Sequence, residues 1–349
     1  MKVTEIIEQR KGRPFPSLEF VPPLKGRDLN QLYNALEPLM EFRPPFMNLT
    51  CHRDERADGK VVSKRPGTVA IAAAVMKRFP VEVIPHLLCA YATAEELESE
   101  LIDLSFLDIE NVMALRGETS APGAFRAEPG GHSHCSELVS QIKAMNRGAY
   151  LENIKDAVPT DFCIGVAGYP EKHYEAPDID TDIMHLKEKV DAGADYIITQ
   201  MFYDNSKFYE FAGKCRAAGI AVPIIPGLKP LSMSKHLHTL PESFAITLPD
   251  DLVREVLACR DEQAVYDAGM EWCIAQSRDL LAHGVPAIHY YTMGRTVNIR
   301  QILARVFWSN NPVSVSTANS RRDSSRQATA MGQLRRAVAR PALRCACRR

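Results

Sequence analysis

Glu19 lies in the run SLEFVPP, a short apolar segment of strand-like composition. An ionised carboxylate buried there costs several kcal/mol unless it is paired, hydrogen-bonded or protonated. A chain that keeps one in such a place is equipped for proton transfer, because apolar surroundings favour the neutral form of an acid. Other polar residues recur near the ends of apolar runs: Thr50, His86, Arg116 with Gly117 and Glu118, Tyr169, Gln200 and Thr292. Each alone has an ordinary reading, His86 as a satisfied core imidazole and Gln200 as a strand cap. Their joint recurrence, run after run, points to a polar mouth that binds and transforms a small molecule. The stretch GGHSHCSE, with His132, His134 and Cys135, invites a metal reading, but no second cluster supplies the remaining ligands of a structural zinc site. No nucleophile triad is legible from local sequence, since such triads assemble from distant positions.

Eight β-rich runs carry these residues: SLEFV, PFMNLT, VEVIPHLLC, ENVMALRG, DFCIGVAGYP, YIITQMFY, PIIPGL and AIHYYTM. Segments of helical period separate them, among them DLNQLYNALEPLM, TVAIAAAVMKRF, ATAEELESELIDLSFL, SELVSQIKAMNRG, TDIMHLKEKVDAG, NSKFYEFAGKCRAAG and MEWCIAQSRDLLAHG. Several of these stop at Gly. The alternation predicts an α/β protein, a (β/α)8 TIM barrel forming a single domain over residues 1–308, whose site gathers at the C-terminal strand ends. A doubly wound sheet is the other arrangement, and no GxGxxG follows the first strand to support it. The run IIPGL ends without a polar side chain, and there Gly227 is expected to let a ligand approach the backbone.

The chain has 349 residues, 46% hydrophobic and 24% charged, with a formal net charge of -1. That balance exerts no general pull on nucleic acid or an anionic membrane, so a small molecule is the expected partner. Nine Cys without a CxxC pair suit reduced thiols of a cytoplasmic protein better than a disulfide framework. No apolar run reaches the roughly 20 residues that span a bilayer, and the amphipathic, charged start MKVTEIIEQRKGRPFP lacks the apolar centre of a signal peptide. Residues 309–349 carry nine Arg and one acid without apolar period, which predicts a disordered basic tail. Its two readings are an RNA-binding or anionic-surface arm and translated unrelated sequence, the latter favoured because no aromatics accompany the Arg.

SLEFVPP, NLT, PHLLC, ALRGE, AGYPEKH with KVDAGAD, TQMFYD, IIPGLKP and YYTMGR occur in this order over residues 17 to about 307. In that order the chain resembles the methylenetetrahydrofolate reductases, specifically the bacterial catalytic barrel. The resemblance implies FAD as cofactor, NADH or NADPH as reductant and a folate substrate, in an expected homo-oligomer that supplies methyl groups for methionine synthesis. It implies Glu19 as the catalytic acid, Glu118 as a second catalytic and flavin-side carboxylate, and Gln200 and Arg295 as substrate contacts. It places FAD on Thr50, His86, Arg116, Gly117, Glu118, Cys135, Ala167, Tyr169, His173, Asp182, His185 and Lys189. The family commonly has Asp at Glu118 and often Asn at His185; Cys135 takes a small-residue position, and an aromatic that covers the site in some members falls near Leu240. The implied reaction is ping-pong: protonation opens the one-carbon bridge of the folate to an iminium, which then accepts hydride. A non-redox folate-binding barrel and a phosphate-binding barrel lyase are the alternatives.

Overall fold

The computed structural model describes residues 1–52, 55–57, 60–117, 127–294 and 296–308. The order of elements is α1 (Val3–Gln9), β1 (Phe15–Phe20), α2 (Leu29–Leu36), β2 (Phe46–Leu49), β3 (Glu55–Ala57), β4 (Lys60–Ser63), α3 (Thr68–Arg78), β5 (Glu82–Leu88), α4 (Ala94–Phe106) and β6 (Asn111–Leu115). It continues with α5 (Cys135–Met145), β7 (Cys163–Gly168), α6 (Ile179–Asp191), β8 (Tyr196–Met201), α7 (Asn205–Ala217) and β9 (Ile224–Leu228). The last elements are α8 (His236–Phe244), α9 (Asp250–Leu257), α10 (Glu262–Ala282), β10 (Ala287–Tyr291) and α11 (Val297–Leu303). Eight strands close in the order β1-β10-β9-β8-β7-β6-β5-β2, and every pairing among them is parallel. The protein is a (β/α)8 barrel, with β3 and β4 as a separate antiparallel pair.

The strands are nearly continuous apolar runs because both of their faces are covered. Outward residues such as Leu18, Met47, Val83, Val112, Ile164, Ile197 and Ile288 pack under the helices. Inward residues Phe15, Phe46, Ile84, Met113, Cys163, Tyr196, Ile198 and Ile225 fill the barrel itself. Helix starts are marked locally. Thr93 and Glu96 form a capping box on α4, and the carboxylates of Asp28, Asp178, Asp204 and Asp261 accept backbone N–H groups at the first turns of α2, α6, α7 and α10.

The charged N-terminal segment has a role that its composition did not announce. Helix α1 lies across the N-terminal end of the barrel, with Val3 and Ile6 buried against the interior cluster. Val3 N–H donates to Asn111 Oδ1 at 2.8 Å, and Asn111 Nδ2 donates to the Met1 carbonyl at 2.9 Å. Helices α8 and α9, absent from the sequence expectation, form a satellite core with Met201, Tyr203, Leu231 and Val265. All seven described Cys are free thiols, five of them buried as small core residues. The predicted basic tail, residues 309–349, lies outside the described residues.

Candidate active site

Strand alternation decides which side chains enter the barrel. On β1 it turns Phe15, Ser17 and Glu19 inward, and on β10 it turns Ala287, His289 and Tyr291 inward, with Ser17 opposite His289 and Glu19 opposite Tyr291. Ser17 and His289 are fully buried, and Ser17 Oγ lies 2.9 Å from His289 Nδ1. Glu19 is 12% exposed at the C-terminal mouth, with Oε2 3.8 Å from both His289 Nε2 and His86 Nε2. A carboxylate between two imidazoles can hold or pass a proton, and burial keeps one of the two neutral. Desolvation pushes the His86 pKa down to about 4, although Glu19 pulls the other way.

Two hydrogen bonds brace the mouth. Thr292 Oγ1 donates to the Glu19 carbonyl at 2.7 Å, and Tyr291 OH donates to the Thr199 carbonyl at 2.6 Å across the end of β9. Burial holds the Tyr291 phenol well above its ordinary range, so this hydroxyl stays a donor. Gly227 makes that crossing feasible. A Cβ there would stand 2.2 Å from the Thr199 carbonyl oxygen and 2.7 Å from Tyr291 Cε2, so the space expected for a ligand is occupied by the protein's own Tyr291. Gln200 turns its Oε1 back to accept from the Met201 N–H at 2.9 Å. Thr50 Oγ1 lies 2.8 Å from His52 Nε2.

A second group assembles where β6 and β7 end. Lys189, from α6, donates to the Ala167 carbonyl at 2.8 Å and lies 6.0 Å from the centre of the Tyr169 ring. The Tyr169 and His173 rings meet edge to face at 4.8 Å. Asp182, buried at the start of α6, accepts from the His173 N–H at 3.1 Å, and burial raises its pKa. Glu175 N–H donates to His173 Nδ1 at 3.3 Å, leaving the Nε2–H as this ring's donor. Burial, followed by the neighbouring Arg116, lowers His173 to about 4. Arg116 pairs with Glu175 at 2.6 Å. Gly117 has φ +100°, and a Cβ on it would meet Tyr91 Cε2 at 2.9 Å.

Of the residues singled out from sequence, Glu19 and His86 meet in the mouth, while Arg116, Ala167, Tyr169, His173, Asp182 and Lys189 meet at the β6–β7 end. Cys135 is buried, with its thiol 3.1 Å from the Ala114 carbonyl, so it packs rather than joining a His132 and His134 cluster. His132 instead lies 2.6 Å from Gln141 Oε1, and His134 is the residue before α5. His185 is 57% exposed on α6 and lies 3.4 Å from Glu188. Leu240 is buried in α8 with Met201 and Tyr203. Glu118 and Arg295 lie outside the described residues. Ser17 and His289 were missed as partners of Glu19, and their only signal was parity with Glu19 and Tyr291 in their strands.

A parallel (β/α)8 barrel with polar and titratable side chains gathered at its C-terminal mouth has the architecture of a barrel enzyme. Residues 2–306 match the family model described as methylenetetrahydrofolate reductase. The chain belongs to the methylenetetrahydrofolate reductase family. It is 32% identical over 292 residues to methylenetetrahydrofolate reductase 1 of Schizosaccharomyces pombe, covering 83% of this chain and 45% of that one. It is 30% identical over 294 residues to the 5,10-methylenetetrahydrofolate reductase of Escherichia coli, covering 84% of this chain and 90% of that one. The chain thus spans about half the length of the eukaryotic relatives it matches and most of the bacterial one. Among solved structures it is similar, at TM-score 0.58 and 15% identity over 87% of this chain and 97% of the other, to an uncharacterised Clostridium thermocellum protein described as binding two copies of 5-methyl-5,6,7,8-tetrahydrofolic acid. At that identity the likeness is one of fold.

Proposed function

We propose that this chain reduces methylenetetrahydrofolate to methyltetrahydrofolate with NADH or NADPH in two separate half-reactions, using bound FAD, with Glu19 as the general acid. Family membership supports the reaction class, and the observation that carries the residue assignment is Glu19 at the barrel mouth between His86 and His289. The donors at the β6–β7 end fit a dinucleotide. Lys189 and Arg116 supply fixed positive charge and His173 a neutral Nε2–H, while Gly117, whose open side is filled by Tyr91, lets the chain turn there at φ +100°. Asp182 holds the His173 backbone so that this donor set keeps its shape.

Bound there, a flavin supplies a two-electron relay between the nicotinamide and the folate. The chain's own residues manage the proton. The bridge of the substrate is a cyclic aminal and a poor hydride acceptor; the carboxyl of Glu19 delivers a proton to one of its nitrogens, which opens the ring to an acceptor iminium. His289, with its ring steadied by Ser17, and His86 flank the carboxyl of Glu19 at 3.8 Å. Gln200 orients the pterin, exchanging its contact with the Met201 N–H for the substrate's ring edge.

The test is Glu19→Gln, which keeps the shape and loses the proton. Nicotinamide oxidation, followed by stopped flow, should stay within about tenfold, whereas folate reduction should fall by roughly 10² to 10⁴. Equal losses in both half-reactions, or an unaffected folate step, would remove Glu19 from the role of acid. A colourless purified protein without absorbance near roughly 450 nm, unresponsive to added FAD, would instead favour a folate-binding barrel without redox chemistry.

A further inference from the structure

Beneath the mouth, four polar side chains point into the barrel: Glu19, Asn48, His86 and His289. Each stands an even number of residues beyond an interior apolar residue of its own strand, Phe15, Phe46, Ile84 or Ala287. Asn48 is 1% exposed and directly opposite Glu19 in the β1–β2 register. Three atoms of this group, Asn48 Oδ1, His86 Nε2 and His289 Nε2, are buried without a hydrogen-bond partner among the described residues. A buried polar atom left unsatisfied forfeits the hydrogen bonds it made in water, so three around one carboxylate point to a common ligand. The two imidazole nitrogens lie 3.8 Å from the same Glu19 oxygen, too far for direct hydrogen bonds. That separation suits a shared molecule about 2.8 Å from each atom.

We infer that the barrel binds one buried water at this point, donating to Asn48 Oδ1 and Glu19 Oε2 and accepting from the Nε2–H groups of His86 and His289. The allotment closes without a remainder. Asn48 Oδ1 and an ionised carboxylate can only accept, which uses both water hydrogens, and the two imidazoles fill both lone pairs. It also fixes the His289 tautomer: with its proton on Nε2, the Nδ1 is left to accept from Ser17 Oγ–H. Burial that keeps His86 neutral fits the same scheme. Resting on the reading of Glu19 as the acid, the water is the hydrogen-bond partner that meets the carboxylate once its proton is spent. Asn48, which touches neither substrate nor cofactor in this scheme, is then a positioning residue.

Two measurements on the wild-type protein test the site itself. A crystal structure resolving ordered solvent should show one peak within about 3.2 Å of all four atoms, and ¹⁵N spectra of the histidines at neutral pH should show both rings as the neutral Nε2–H tautomer. An absent peak, or an Nδ1–H tautomer at either ring, overturns the inference. Asn48→Leu should remove the peak and slow folate reduction about tenfold, while nicotinamide oxidation stays within about twofold. A folded Leu variant with an unchanged folate step overturns the positioning role of the water. Failure of the acid assignment is distinct, because it appears in Glu19→Gln as equal losses in both half-reactions or as an unaffected folate step, whether or not the peak is present.

Discussion

His86 carries a burden that sets a pH limit on the molecule. Burial holds its folded pKa at about 4, below the ordinary imidazole value of 6.5, so between these values the unfolded chain binds a proton that the native chain refuses. Stability therefore rises with pH across that window; it is complete above about 6.5 and falls as pH drops towards 4. The full loss is on the order of 3 kcal/mol. Urea unfolding of ligand-free protein at pH 7 and 4.5 should show a steeper acid loss for wild type than for His86→Gln, which has no proton to refuse. Parallel losses in the two proteins would show that His86 is not the titrating burden. At the β6–β7 end, replacing Lys189 and His173 together by Ala removes one charge and one neutral donor from the proposed dinucleotide contacts. Flavin absorbance after gel filtration should fall by more than about tenfold at equal protein. Full flavin retention in that double variant would place the dinucleotide elsewhere.

Two helical glycines separate propensity from packing at the level of elements. Gly213 in α7 has nothing within 4 Å of a would-be Cβ, whereas on Gly269 in α10 a Cβ would stand 1.8 Å from the Leu231 carbonyl oxygen. Gly213→Ala should therefore stabilise by about 0.5–1 kcal/mol, and Gly269→Ala should destabilise by about 1–3 kcal/mol, both read from thermal unfolding. The second change also reaches the site. Helix α10 is clamped to the segment after β8, with Trp272 Nε1 donating to the Tyr203 carbonyl at 3.0 Å and Gln276 Nε2 to the Phe202 carbonyl at 3.3 Å. Pushing α10 outwards loosens the strand end that carries Gln200, so KM for folate should rise in Gly269→Ala and stay unchanged in Gly213→Ala.

The barrel is closed at one end by α1 and stitched at its seam by the residues that follow β10. Trp308 meets Phe42 edge to face at 5.9 Å, Phe307 meets Tyr290 at 6.5 Å, and Arg305 pairs with Glu271. A chain ending at Trp308 should keep its melting temperature within about 3 °C and retain its activity, as expected when no strand or seam contact is lost. A chain ending at Leu303 loses all three contacts and should melt several degrees lower. Equal melting of the two would assign the seam no stabilising role, and collapse of the longer one would give residues 309–349 a part in the fold.

The eight strands and most helices were legible in the sequence because their signals are local. Apolar runs, Asp or Thr caps and Gly stops are read from residues a few positions apart, and Glu19 stood out because a carboxylate inside such a run needs a reason. What the chain segments do to one another was not legible. Ser17 and His289 look like ordinary buried residues of two apolar runs, and only closure of β1 against β10 brings them within 2.9 Å across a separation of 272 residues. Gly227 is plainly special in sequence, yet whether its open side faces a ligand or Tyr291 depends on the angle at which a neighbouring strand ends. The charged helix at the N-terminus has an apolar face whose partner is the barrel floor, a surface that exists only once all the strands are in place. Local period determined the elements and marked the carboxylate of Glu19; the company that carboxylate keeps was decided by barrel closure, which no nearest-neighbour pattern encodes.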